Sequence, residues 1–178
     1  MKFSLRTVLV AVAVLAAVFA VCAGRYQRVS NVVNAVAKCG GFTFFDGTLQ
    51  NSTGLGYLLG VSEVDLSDSS ITINDTAIDN IAKNPRKFTL RLDFTDVTTS
   101  QLALLRGARI TELHLDGLDI DDDAVDAIGQ IKSLEVLYAC DTRISEEGFQ
   151  RLEILLPQCE ILKTREEVCH RGLNASTH

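Results

Sequence analysis

The hydrophobic pattern of the chain has two parts, an unbroken apolar block and then a regular alternation. Val8 to Ala23 (VLVAVAVLAAVFAVCA) contains no charge; Lys2 and Arg6 precede it, and Arg25, Tyr26 and Arg28 follow. At about 16 to 18 residues it sits at the border between a signal-peptide core and the shortest span of a bilayer. It therefore reads as either a retained anchor or a cleaved signal. The aromatic-basic flank is the kind found where a helix leaves the membrane. Val29, Val32, Val33 and Val36 then fall on one helical face, and Gly40-Gly41 ends that helix. Phe42-Thr43-Phe44 predicts a short strand, Asp46-Gly47 a turn, and the Gly-rich stretch Asn51–Gly60 a loop with one or two helical turns.

From residue 61 the pattern repeats. VSEVDLSDSSI from Val61, KFTLRLDFTDV from Lys87, ITELHLDGLDI from Ile110 and LEVLYACDTRI from Leu134 align without gaps. Their frame is apolar-x-x-apolar-x-apolar, closing on Ile71, Val97, Ile120 and Ile144. Lys87 breaks the first apolar column and Ala139 is small in the third. The residue after each closing aliphatic (Thr72, Thr98, Asp121 or Ser145) suits a helix N-cap, and Thr98 with Gln101 forms a capping-box pattern. Apolar residues then recur at helical spacing: Leu102 and Leu105; Val125, Ile128 and Ile131; Phe149, Leu152 and Leu155. Each unit thus predicts strand, turn and helix. A single unit cannot bury its own apolar face, so the units must stack.

This pattern resembles leucine-rich-repeat proteins whose units read L-x-x-L-x-L-x-x-T-x-I-[TS], with Leu134–Ser145 (LEVLYACDTRIS) the nearest match. Leu156-Pro157-Gln158-Cys159-Glu160-Ile161 resembles the last segment of such arrays in planctomycete-type bacteria. Phe3-Ser4-Leu5-Arg6-Thr7 before the apolar run, the Gly40-Gly41 helix end and Tyr57-Leu58-Leu59-Gly60 are similar to small membrane-anchored proteins of that group. The resemblance implies an α/β leucine-rich-repeat solenoid, with parallel strands on one face, helices on the other and an N-terminal transmembrane helix. It divides the chain into a membrane segment (1–24), a capping helix, strand and loop (25–60), about four repeats (61–161) and a tail (162–178). It also implies a non-enzymatic binding or scaffolding module. Members of that family bind unrelated things, so no ligand carries over.

Composition fits this reading. The 178 residues suffice for one domain with a sizeable core. Removing the cations Lys2 and Arg6 from the formal charge of −6 leaves −8 on residues 24–178, opposite to the basic face of a nucleic-acid binder. Positive charge flanks the apolar block on both sides, with the α-amino group, Lys2 and Arg6 slightly outweighing Arg25 and Arg28. This favours the N-terminus in and the remainder extracytoplasmic. No cofactor and no small-molecule substrate are expected.

The candidate contact residues lie on the strand face turned away from the core. One column holds Asp65, Arg91, His114 and Tyr138; the next holds Ser67, Asp93, Asp116 and Cys140. The partner-binding set is Asp65, Arg91, Asp93, His114, Asp116 and Tyr138, facing a protein partner. Cross-strand ion pairs of Arg91 with Asp65 or Asp116 are the competing reading of this face. The acidic run Asp116 to Asp126 lacks EF-hand spacing and fits helix starts instead of calcium, so no metal is expected. A Ser67, His114 and Asp93 or Asp116 triad lacks a nucleophile elbow and an oxyanion pocket, so no enzyme is expected. Strand spacing excludes Cys39–Cys140 as a bridge. Cys159–Cys169 is the favoured disulfide, with buried or free thiols the alternative. The function expected is protein–protein interaction at the outer side of the cell membrane. The alternative is a structural envelope component without a specific ligand.

With the apolar block retained as an anchor, mass spectrometry of the purified native protein is expected to find residues 1–23 present. A mature N-terminus at Gly24 would establish cleavage and secretion instead.

Overall fold

A computed structural model describes residues 5–45, 48–49, 60–67 and 72–168 of the chain. Asp46-Gly47, residues 50–59, Ile71 and Cys169 onwards, all of which carry sequence expectations, lie outside the described residues.

The N-terminal helix α1 (Leu5–Lys38) is one unbroken element of 34 residues, about 51 Å long at the usual rise. It runs straight through Gly24, so the anchor and the capping helix share one backbone. Its two halves have different surroundings. From Leu9 to Val21 its large apolar side chains are exposed, whereas Val29, Val32, Val33 and Val36 are buried in the core. By length and composition this helix can cross a membrane or serve as a signal sequence. Its end is set by two glycines. Gly40 N–H donates to the Ala37 carbonyl, Gly41 N–H reaches back to that of Val36, and Gly40 takes φ +78°. This pair of bonds is a Schellman closure. A Cβ on Gly41 would stand 2.6 Å from the Asp65 carbonyl oxygen, so the helix end meets the sheet where only glycine fits.

The body is α/β. Among the described residues, seven strands form one sheet in the order β2-β1-β3-β4-β5-β6-β7. They are β1 (Phe42–Phe45), β2 (Thr48–Leu49), β3 (Glu63–Asp65), β4 (Phe88–Arg91), β5 (Ile110–His114), β6 (Val136–Tyr138) and β7 (Glu160–Leu162). β1 pairs antiparallel with β2 and β3, and all later pairs are parallel. The helices α2 (Asp75–Ala82), α3 (Thr99–Ala103), α4 (Val125–Ile128) and α5 (Glu146–Leu155) follow successive strands. They form a second row in the same order, with α1 packed against α2.

The apolar columns read from the sequence become the core between the rows. Val64, Leu90, Leu113 and Leu137 are fully buried, as are Leu66, Leu92 and Leu115, and Ala139 nearly so. One backbone bond recurs along the turns: Leu66, Leu92, Leu115 and Ala139 N–H donate to the carbonyls of Arg91, His114, Tyr138 and Leu162. The next residue but one leaves in a left-handed turn, with φ +57° at Phe94, +70° at Gly117 and +55° at Asp141. Phe94 lies over Gly117 so closely that a Cβ there would sit 2.4 Å from its ring.

Two details of the repeat differ from the sequence frame. The gapless alignment starts the second unit at Lys87, but Lys87 is exposed and Phe88 fills its column. Phe88 pairs with Ile110 while Thr89 pairs with Glu112, so a bulge at Thr111 absorbs the extra residue. The first unit's N-cap is Asn74, not Thr72, because the Asn74 side chain accepts the Ala77 N–H at 2.9 Å. Thr98, Asp121 and Ser145 cap as expected, and the Thr98–Gln101 box is formed. Asp122 does more than fill a first turn. Its two oxygens accept the Ser145 N–H and hydroxyl of the next unit at 2.8 and 2.7 Å, which holds its carboxyl below the ordinary range. The described start of the tail is tied down too: Arg165 pairs with Asp141 and Lys163 with Glu146, and a helical turn spans 165–168.

Buried Asn84 closes the turn after α2. Its Nδ2 donates to the Val61 carbonyl at 2.9 Å and its Oδ1 accepts the Val61 N–H at 3.2 Å. Asn84→Ala would strand both buried backbone groups. A loss on the order of 2–4 kcal/mol is expected in chemical denaturation; a loss well below 1 kcal/mol would show that the pair is not held as described.

Candidate functional site

The parallel register decides which outward residues meet. Asp65 pairs with Arg91, Arg91 with His114, and His114 with Tyr138, so the predicted first column stands side by side across β3 to β6. The row extends further than the sequence frame. Phe42 of β1 pairs with Asp65 on the antiparallel edge and is 59% exposed. Its segment reads only as a short strand in the sequence, and nothing there gives its partner. The signal was an aromatic at the edge position of a half-buried strand, and it needed the antiparallel register to be placed.

The centre of the row is a ring stack. His114 and Tyr138 lie with ring centroids 4.0 Å apart and planes 9° from parallel. His114 keeps only 14% of its side chain exposed, while Arg91 beside it keeps 40%. The Arg91 Nη2 lies 3.4 Å from Asp93 Oδ2, and its Nε is buried with no hydrogen-bond partner. The ion pairs of the competing reading, Arg91 with Asp65 or Asp116, do not form. Asp65 instead accepts the Ser67 N–H, and Asp116 accepts the Cys140 N–H, at 2.9 and 2.8 Å.

The second column behaves differently from the first. Asp93, expected to face a partner, is only 6% exposed. Its Oδ1 accepts the Asp116 N–H at 3.1 Å, and its Oδ2 accepts the Ser67 hydroxyl at 3.2 Å beside Arg91. Asp93 and Asp116 thus hold the backbone of the following strand, which a short carboxylate just past a strand end can reach. Cys140 closes this column. Burial, with Asp116 nearby, pushes its thiol up to about 11, so it stays protonated at neutral pH. Cys22, Cys39 and Cys140 carry free thiols. The expected Cys159–Cys169 bridge lies outside the described residues.

Asp93 also stands between Ser67 and His114. The Ser67 hydroxyl is bonded to the carboxylate, and His114 Nδ1 is 4.0 Å from the same oxygen. A nucleophile would need that hydroxyl on the imidazole. The acidic run is likewise distributed among separate partners. Asp119 pairs with Arg143, Asp126 with Arg151, Asp121 accepts the Asp123 N–H, and Asp122 holds Ser145. Among the described residues no group of three His, Cys, Asp or Glu is placed to hold a metal.

Burial holds the His114 imidazole below its ordinary value of 6.5; Asp93 pulls the other way without prevailing, and Arg91 adds to the lowering. The folded site therefore favours the neutral ring, and the unfolded chain takes up the proton first as pH falls. Stability should rise with pH through the window just below 6.5 and level off above it. Thermal unfolding is expected to show a larger loss between pH 7.5 and 5.5 for the wild type than for His114→Gln; equal losses would rule out desolvation of this ring. No protein-family model matches the chain, and no curated protein matches it either.

Proposed function

We propose that the chain is a short leucine-rich-repeat solenoid that displays its open strand face to a protein partner and is held at the membrane by the apolar half of α1. The reading is of a non-enzymatic module, with the folded body on the outer side of the cell membrane. The observation that carries it is the register-matched row Phe42, Asp65, Arg91, His114 and Tyr138. Arginine, tyrosine and phenylalanine are enriched where protein surfaces meet. Here His114 and Tyr138 are already stacked on each other, so these two rings have little side-chain freedom to lose on binding.

Two further features support the solenoid part. The strands follow chain order from β3 to β7, and the same turn bond recurs at each step. Arrays of this kind bury each unit against its neighbours only. Asp93 and Asp116 serve that stacking, which leaves Arg91, His114 and Tyr138, with Phe42 at the edge, as the contact group.

Affinity capture from native membranes tests the reading. Arg91→Ala/Tyr138→Ala is expected to weaken recovery of specific partners by at least about tenfold, with the unfolding midpoint little changed. Unchanged recovery would refute recognition by this face and favour an envelope component that works through its stacking edges.

A further inference from the structure

α1 continues past the end of its apolar run without a linker. Val29, fully buried in the body, lies six residues beyond Ala23, about 9 Å along the axis. The interfacial layer on each side of a bilayer is about 5–7 Å thick. With Val8–Ala23 in the hydrocarbon, Arg25 and Arg28, about 3 and 8 Å beyond it, stand at the level of the lipid headgroups, and the folded body begins at their outer edge.

At that junction a cleft of about 310 Å³ opens between α1 and the turns after α2 and α3. Arg25, Arg28, Lys83 and Arg109 line it, and among the described residues no carboxylate lines it. In a chain of net charge −6 this is a local reversal of sign. The four cations come from three distant segments, so the fold assembles the cluster. Two of them are positioned by what surrounds them. Asn84, clamped to Val61, fixes the turn that carries Lys83. Arg109 donates one Nη1–H to the Pro85 carbonyl at 3.3 Å, and the other guanidinium donors remain for a second acceptor. Lys83 also pairs with Asp79 one helical turn back.

We propose that this cleft binds the phosphate of an anionic phospholipid in the leaflet from which α1 emerges. The proposal rests on reading the apolar half of α1 as a membrane span. Arg25 and Arg28 put the cleft within two helical turns of Ala23, at the depth where a lipid phosphate lies. Guanidinium groups bind phosphate oxygens in pairs, and lysine adds a mobile point charge. Binding there fixes the orientation of the body on the membrane, because Lys83 and Arg109 belong to the body and Arg25 and Arg28 to the span.

The full-length chain is reconstituted in phosphatidylcholine vesicles containing a minor share of phosphatidylglycerol. Resistance to carbonate extraction reports insertion. Electron spin resonance of spin-labelled lipids reports which headgroup stays at the protein. Severalfold retention of phosphatidylglycerol over phosphatidylcholine is expected. Lys83→Gln/Arg109→Gln, which leaves α1 intact, is expected to remove most of that preference, and Lys83→Arg/Arg109→Lys to keep it. A cation that merely offsets the C-terminal dipole of α2 would not move this ratio. Equal retention of the two lipids overturns the proposal. So does a preference unchanged in the glutamine variant, which would trace it to Arg25 and Arg28 alone. Loss of the preference on adding excess inorganic phosphate also overturns it, by making the cleft a site for the free anion. Extraction of the wild type by carbonate refutes the membrane span itself, and the headgroup site with it.

Discussion

Each strand–turn–helix unit has apolar side chains on its inner strand positions and on one helix face, and only its neighbours can cover them. Leu90, for example, is buried because Val64 and Leu113 stand on either side of it in the sheet, with the helix row behind. The end units have a neighbour on one side only, and different devices close them. At the front, the valine face of α1 packs on the core and the antiparallel β1 covers the edge of β3. At the back, β7 adds a last strand, and Arg165 and Lys163 tie the following residues to the fourth unit.

Stacking also explains the division of labour among the carboxylates. The turns leave backbone N–H groups facing the preceding unit, and such groups need acceptors where water is excluded. Asp93 and Asp116 supply them in successive units, and Asp122 does the same at the helix starts by holding Ser145. The negative charge is thus used inside the array. Arg91, His114 and Tyr138 stand side by side on the outer face of the strands. Their arrangement is inherited from the same parallel register that builds the core.

The continuity of α1 links this body to its surroundings. A helix with one half exposed and apolar and the other half buried along its valine face passes no hinge between them, and glycine at position 24 does not interrupt it. Whatever holds the apolar half also sets the height and tilt of the sheet face. The cationic cleft lies at the point where the two halves meet.

Much of this was legible in the sequence because it depends on periodicity. The core columns, three of the four helix caps, the glycine stop after α1 and the Asp65–Arg91–His114–Tyr138 column all follow from spacing, since equivalent positions in parallel strands must stand side by side. Departures arose where a single side chain had two competing uses. Asp93 faces outward by alternation, yet its carboxylate turns in to accept the Asp116 N–H of the next unit at 3.1 Å. Lys87 occupies an apolar column, so Phe88 takes its place and the neighbouring strand β5 bulges at Thr111 to keep the register. Asn74 outcompetes Thr72 as a cap because its amide oxygen reaches Ala77. The sequence by itself therefore determined the repeating unit and the α/β class, because hydrophobic periodicity is a local property. Only the tertiary structure decided that Phe42 joins the outer row, that Asp93 leaves it, and that Arg25, Arg28, Lys83 and Arg109 converge. Those outcomes depend on antiparallel register, on the demand of buried backbone groups and on contacts between segments far apart in the chain.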